Sequence, residues 1–168
     1  YTYDSNIVVQ DSTFTNGQQG IYTTSTGSAS TTTITNVTFD GYNSNAVMSV
    51  SGATVNVNDS TFNNTGNYPV YCSSGGEINL ENVSISNTSS SKSMTVYYLN
   101  GEETNRYESE SNGTPMYGNR CRADLTDVTV QNTAHYGVRF LNSALEIDGL
   151  LIDGVGAAIN GGLDISCV

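Results

Sequence analysis

The sequence predicts an all-β solenoid, a right-handed parallel β-helix of about six to seven coils with about 22–25 residues in each. Three observations predict it. A short stretch of alternating apolar and polar residues returns six times, as IVVQDSTFTN (7–16), TTITNVTFDG (32–41), VNVNDSTFNN (55–64), INLENVSISN (78–87), ADLTDVTVQN (123–132) and LEIDGLLIDG (145–154). A second short apolar stretch follows each of them. No stretch carries the 3.6-residue apolar period of a helix.

The elements follow in order. Alternation is the mark of a strand with one face buried. In each repeat the first inward anchor is Val9, Ile34, Val57, Leu80, Leu125 or Ile147, and the second is Phe14, Phe39, Phe62, Ile85, Val130 or Ile152. Parallel stacking sets equivalent residues about 4.8 Å apart, so each set becomes one continuous inward column. Between and after the anchors fall two sets of turn residues. One is Asp11, Asn36, Asp59, Asn82, Asp127 and Gly149; the other is Asn16, Gly41, Asn64, Asn87, Asn132 and Gly154. Asn, Asp and Gly tolerate left-handed backbone, so both sets read as sharp corners, and stacked Asn side chains can bond along the axis. The second strands are expected at GIYTT (20–24), AVMSV (46–50), PVYCS (69–73), TVYYL (95–99), GVRFL (137–141) and AAING (157–161). From Leu80 to Leu125 the repeat is interrupted. A polar stretch holding four Glu, two Arg and one Pro is expected to leave a single domain, 1–168, as a loop insertion over 100–121. Such loops carry binding functions or are tolerated excursions.

Residues 1–5 read as the second strand of an earlier coil. LDISCV (163–168) reads as the opening of a seventh, with Ile165 in the Ile147 column and Cys167 at a corner. The chain therefore reads as starting and stopping within a coil. That fits a piece of a longer β-helix, or copies that stack head to tail into a fibre.

This repeat resembles the right-handed β-helix repeat family, the pectate-lyase-like superfamily, over nearly the whole chain. The resemblance implies the fold more than any activity. Polysaccharide lyases of that superfamily use a basic residue to abstract a proton, with Ca2+ or another cation countering the uronate. That points to Arg139, the only basic residue expected on a strand face, with His135 and Tyr136 before it and Asp153 one coil on. Hydrolases of the fold need clustered carboxylates on one strand face, and no such cluster flanked by basic residues is present. The expectation is a non-enzymatic, surface or adhesin-like member with no catalytic residue assigned; a carbohydrate-binding or polysaccharide-cleaving protein is the alternative.

Composition narrows the partners. Sixteen Asp and Glu against five Lys and Arg give a net charge of −11, which disfavours nucleic acid and anionic membrane surfaces. No apolar run approaches the roughly 20 residues that span a bilayer. Ser, Thr and Asn fill the polar positions, and N-x-S/T acceptors occur at Asn36, Asn58, Asn63, Asn82, Asn87 and Asn112, so the chain is expected outside the cell and glycosylated. Three cysteines, Cys72, Cys121 and Cys167, allow one disulfide and one spare thiol. Neither haem nor zinc spacing is present, and no cofactor is expected.

Two outward surfaces could carry binding. One is the second-strand column Tyr22, Met48, Tyr71, Tyr97, Arg139 and Asn160, in which Tyr22, Tyr71, Tyr97 and Arg139 form a face for sugar rings or a neighbouring chain; strand propensity alone also favours Tyr there. The other is Asn56, Asn79, Asp124, Glu146 and Asp164, flanked by Glu81 and Asp148. Ca2+ takes several such oxygens, but no calcium-binding loop spacing accompanies them, and a solvated acidic face is expected. The partners expected are further copies, other surface proteins or glycans.

Overall fold

The structure is a computed structural model, which describes residues 1–66, 68–89, 97–99, 102–104, 116–133, 137–155 and 163–166. Its strands are β1 (Thr2–Tyr3), β2 (Ile7–Thr15), β3 (Ile21–Thr24), β4 (Thr31–Asp40), β5 (Val47–Val50), β6 (Thr54–Asn58), β7 (Thr61–Asn63) and β8 (Val70–Ser73). They continue with β9 (Glu77–Thr88), β10 (Tyr97–Leu99), β11 (Glu102–Thr104), β12 (Met116–Asn119), β13 (Arg122–Thr133), β14 (Val138–Leu141), β15 (Ala144–Val155) and β16 (Leu163–Ser166). No helix occurs among the described residues.

Two seven-stranded parallel sheets build a β-solenoid of about five turns. The long-strand sheet runs β15-β13-β9-β6-β4-β2, with β7 continuing β6 between β4 and β9. The short-strand sheet runs β1-β3-β5-β8-β12-β14-β16. Each long strand bends at one left-handed residue: Asp11 (φ 50°), Asn36 (55°), Asp59 (49°), Asn82 (52°), Asp127 (50°) or Gly149 (83°). In the third coil this bend separates β6 from β7. The second expected corner set is left-handed throughout as well, from Asn16 (57°) to Gly154 (70°). A third set, not anticipated from the sequence, follows the short strands at Ser51, Ser74, Arg120 and Asn142, with φ of 54°, 53°, 53° and 49°.

Both inward columns form in the expected register. Val9 pairs with Ile34, Ile34 with Val57, Val57 with Leu80, Leu80 with Leu125 and Leu125 with Ile147. Phe14, Phe39, Phe62, Ile85, Val130 and Ile152 align likewise. The rings of Phe14 and Phe39 stack at 5.3 Å and 11°, those of Phe39 and Phe62 at 4.9 Å and 7°. Each fully buried aliphatic contributes roughly 1.5–3 kcal/mol, and a stacked aromatic pair about 0.5–1.5 kcal/mol beyond its burial. A single coil has no neighbour to bury its inward face, so this stabilisation exists only in the stack.

The short-strand sheet corrects the sequence reading in three places. The fourth coil contributes Met116–Asn119, paired with β8 and β14, and not 95–99. Tyr97–Leu99 instead pairs antiparallel with Glu102–Thr104. The interruption therefore lies between β9 and β12, earlier than 100–121. At the far end, Leu163–Ser166 is the last short strand, with Ile165 beside Phe140 and not in the Ile147 column. LDIS thus lies in the short-strand sheet and does not open a long strand; the strand expected at 157–161 lies outside the described residues, and the turns number about five, fewer than six to seven. At the other end Thr2 and Tyr3 pair with Thr23 and Thr24, as an earlier coil's second strand should.

Candidate functional site

Three surfaces of the solenoid carry chemistry. The first is the short-strand column. Register places Tyr22, Met48, Tyr71, Tyr117, Arg139 and Asp164 in one line across six strands. Tyr22 and Tyr71 are half-buried, and the ring of Tyr1 stacks on Tyr22 at 4.6 Å and 8°. Burial first, then the neighbouring Tyr1, raises the Tyr22 phenol above its ordinary pKa. Tyr71 packs against Tyr68 at 6.0 Å and 40°. Tyr97 is placed in β10, outside this line; Tyr117 takes its position. Arg139 keeps its column but is only 7% exposed, so it does not stand on an open face as expected. The equivalence of Tyr117 was hidden because the repeat spacing is lost across the interruption.

The second surface is the outward face of the first half of the long strands. Asn56, Asn79, Asp124 and Glu146 align there as expected; Asp164 does not, since it pairs with Arg139 in the other sheet. The face grades from neutral to acidic. Asn79 Nδ2 donates to Asn56 Oδ1 at 2.8 Å and Glu77 Oε1 at 3.1 Å. Arg122 bridges Asp124 and Glu146, both at 3.4 Å, and its guanidinium is held further toward the charged form, chiefly by the hydrogen bond to Asp124. These groups are solvated, so the ion pairs add little to stability. An open depression of about 320 Å³ lies between Asn56, Asn79, Glu81 and Asp124. Among the described residues, no group of three or more His, Cys, Asp or Glu side chains is placed to hold a metal ion.

The third surface is the set of corners. Asn36 Nδ2 donates to Asp11 Oδ1 and Asn82 Nδ2 to Asp59 Oδ1, both at 2.7 Å. Asn87 donates to Asn63 Oδ1 at 2.8 Å, and Asn63 to Asp40 Oδ1 at 3.1 Å. Four of the expected glycosylation acceptors, Asn36, Asn63, Asn82 and Asn87, thus use the very amide nitrogen that a glycan would occupy to tie one coil to the next. Asn36, Asn82 and Asn87 are exposed, whereas Asn58 and Asn63 are half-buried. Asn112, His135, Tyr136, Asn160 and Cys167 lie outside the described residues.

Cys72 and Cys121 are both buried thiols. Burial pushes the Cys72 thiol far up, and the adjacent Cys121 thiol adds to the shift. Sequence spacing gave no sign that these two meet. Among the described residues, no helix is long and apolar enough to cross a membrane.

In comparison with known proteins, no protein-family model, no curated protein and no solved structure matches the chain. The geometry defines the class: an all-β parallel solenoid.

Proposed function

We propose that the chain is an extracellular structural or adhesive module, a non-enzymatic relative of the pectate-lyase-like β-helices that associates with further copies of itself. One observation supports this most. Ile147 belongs to the inward column in which Leu125 is 1% exposed, yet Ile147 itself is 41% exposed. It lies on β15, the outermost of the described long strands at that end. One more layer of the same pattern would cover it. A second copy supplies that layer through β2, because β2 presents the same columns: Val9 over Ile147, Phe14 over Ile152, Asp11 over Gly149. A contact of this head-to-tail type does not close on itself and builds a filament.

The experiment is sedimentation and negative-stain microscopy of the purified chain beside Ile147→Asp, with the outward-facing Leu151→Asp as a control expected to leave assembly unchanged. Filaments or concentration-dependent oligomers that the Ile147 variant abolishes support the reading. A wild-type chain that stays monomeric at high concentration overturns it.

A second reading, carbohydrate binding, draws on the half-buried Tyr22 and Tyr71 in one column with Met48, since flat rings suit sugar faces. The burial of Arg139 weighs against lyase chemistry on that face. Glycan binding lost in Tyr71→Ala, with assembly unchanged, would favour this reading over the first.

A further inference from the structure

Cys72 and Cys121 stand in neighbouring layers at the base of the interruption. Cys72 lies in β8, where its register partner in the next layer is Gly118. Cys121 follows β12 at the third corner. There the carbonyls of Ser30, Ala53, Gly76 and Cys121 accept the amides of Thr54, Glu77, Arg122 and Ala144 respectively, each one coil on. These four residues therefore occupy one column, and the neighbour of Cys121 in the preceding layer is Gly76. Each cysteine faces a glycine in its own column.

The two cysteines therefore lie on the diagonal between these columns, in adjoining layers. The Cys121 thiol is near enough to add to the burial that raises the Cys72 thiol. Cys72 Sγ also reaches the carbonyl oxygen of Arg122, the residue after Cys121, at 3.8 Å. Glycine at 76 is required by the close approach of the preceding layer, since a Cβ would lie 2.5 Å from the Ser49 carbonyl oxygen. The two cysteines are 1% and 7% exposed.

We propose that Cys72 and Cys121 form a disulfide that staples the two coils flanking the interruption. Burial makes both thiols inaccessible in the finished fold, so the bond forms as β8 and β12 come together. The oxidant is a low-molecular-weight disulfide such as oxidised glutathione. One cysteine thiolate attacks it, forming a mixed disulfide and releasing one thiolate. The second cysteine thiolate attacks the protein sulfur of that mixed disulfide and releases the other thiolate. The two cysteine protons end on the two released thiols, and the oxidant takes the two electrons. The closed segment, 73–120, contains the longest excursion between paired strands, where loop closure restricts the unfolded chain most.

The test is peptide mapping by mass spectrometry of the full chain, folded in glutathione redox buffer, then denatured and alkylated without reduction. The expected result is a Cys72–Cys121 linked peptide, with Cys167 alkylated. Reductant should also lower the melting temperature of the wild type but not that of Cys72→Ser or Cys121→Ser. Alkylation of all three cysteines, or a link from Cys167 to either of the others, overturns the proposal. The bond is intramolecular, so a chain that fails to self-associate leaves it standing.

Discussion

The long-strand and short-strand sheets contain the same number of strands, wound in the same solenoid, yet they are written very differently. In the long-strand sheet the two anchor columns and the two corner sets each repeat one kind of residue. Its second inward column runs Phe, Phe, Phe, Ile, Val, Ile, and its corners are Asp, Asn or Gly in all six layers. The short-strand sheet has no such uniformity. The column containing Cys72 runs Thr23, Ser49, Cys72, Gly118, Phe140, Ile165. The difference shows where the stack is specified: long strands with like-on-like columns set the register, and short strands are carried into place by it. In the short sheet, residue size changes from layer to layer, as where Cys72 is followed by Gly118 and then Phe140.

This contrast can be broken most forcefully in the Phe column. Phe39 is fully buried between two stacked rings, so Phe39→Ala should cost about 3–5 kcal/mol. Urea unfolding would measure it; a loss below 1 kcal/mol would mean that the column does not organise the stack. The corners come next. Asn82 is left-handed and bonds to Asp59, so Asn82→Val should cost about 1–2 kcal/mol from backbone strain, while Asn82→Gly should cost less. Equal losses for both would assign the effect to the side-chain bond. Smallest is a change in the short sheet. Ser49 Oγ donates to the Ala53 carbonyl at 2.7 Å, and Ser49→Ala should cost about 1 kcal/mol. A loss as large as that of Phe39→Ala would erase the distinction between the sheets.

The same contrast explains what was legible beforehand. The period, both inward columns and two of three corner sets could be read directly, because each repeats its residue type at constant spacing. The third corner set could not be read: it passes from Ser51 and Ser74 to Arg120 and Asn142 and lacks the Asn, Asp and Gly consistency of the other two. Tyr97 was taken for a ladder residue because TVYYL alternates as a strand should. It is a strand, but one that pairs antiparallel with its own neighbour; alternation reports a strand and not its partner. LDIS was placed in the wrong sheet for a related reason, since four residues with two apolar positions fit either column.

The candidate surfaces divide in the same way. The Tyr22–Tyr71 line and the Asn56–Glu146 line were foreseeable from strand alternation within regular coils. The burial of Arg139 was not, because alternation assigns a face and cannot say whether anything covers it. Nor could sequence reveal that the glycosylation acceptors at Asn36, Asn63, Asn82 and Asn87 spend their amide nitrogens on neighbouring coils.

By itself, the sequence determined that this chain is a β-solenoid, which residues point inward and where the coils bend, because inward packing and left-handed corners each demand a narrow set of side chains that recurs every coil. Only the tertiary structure decided which strand closes the fourth coil, which layer leaves Ile147 uncovered and that Cys72 and Cys121 lie in adjoining layers. Those are contacts between residues distant in sequence, and they depend on how the stack closes across an interruption that carries no repeat.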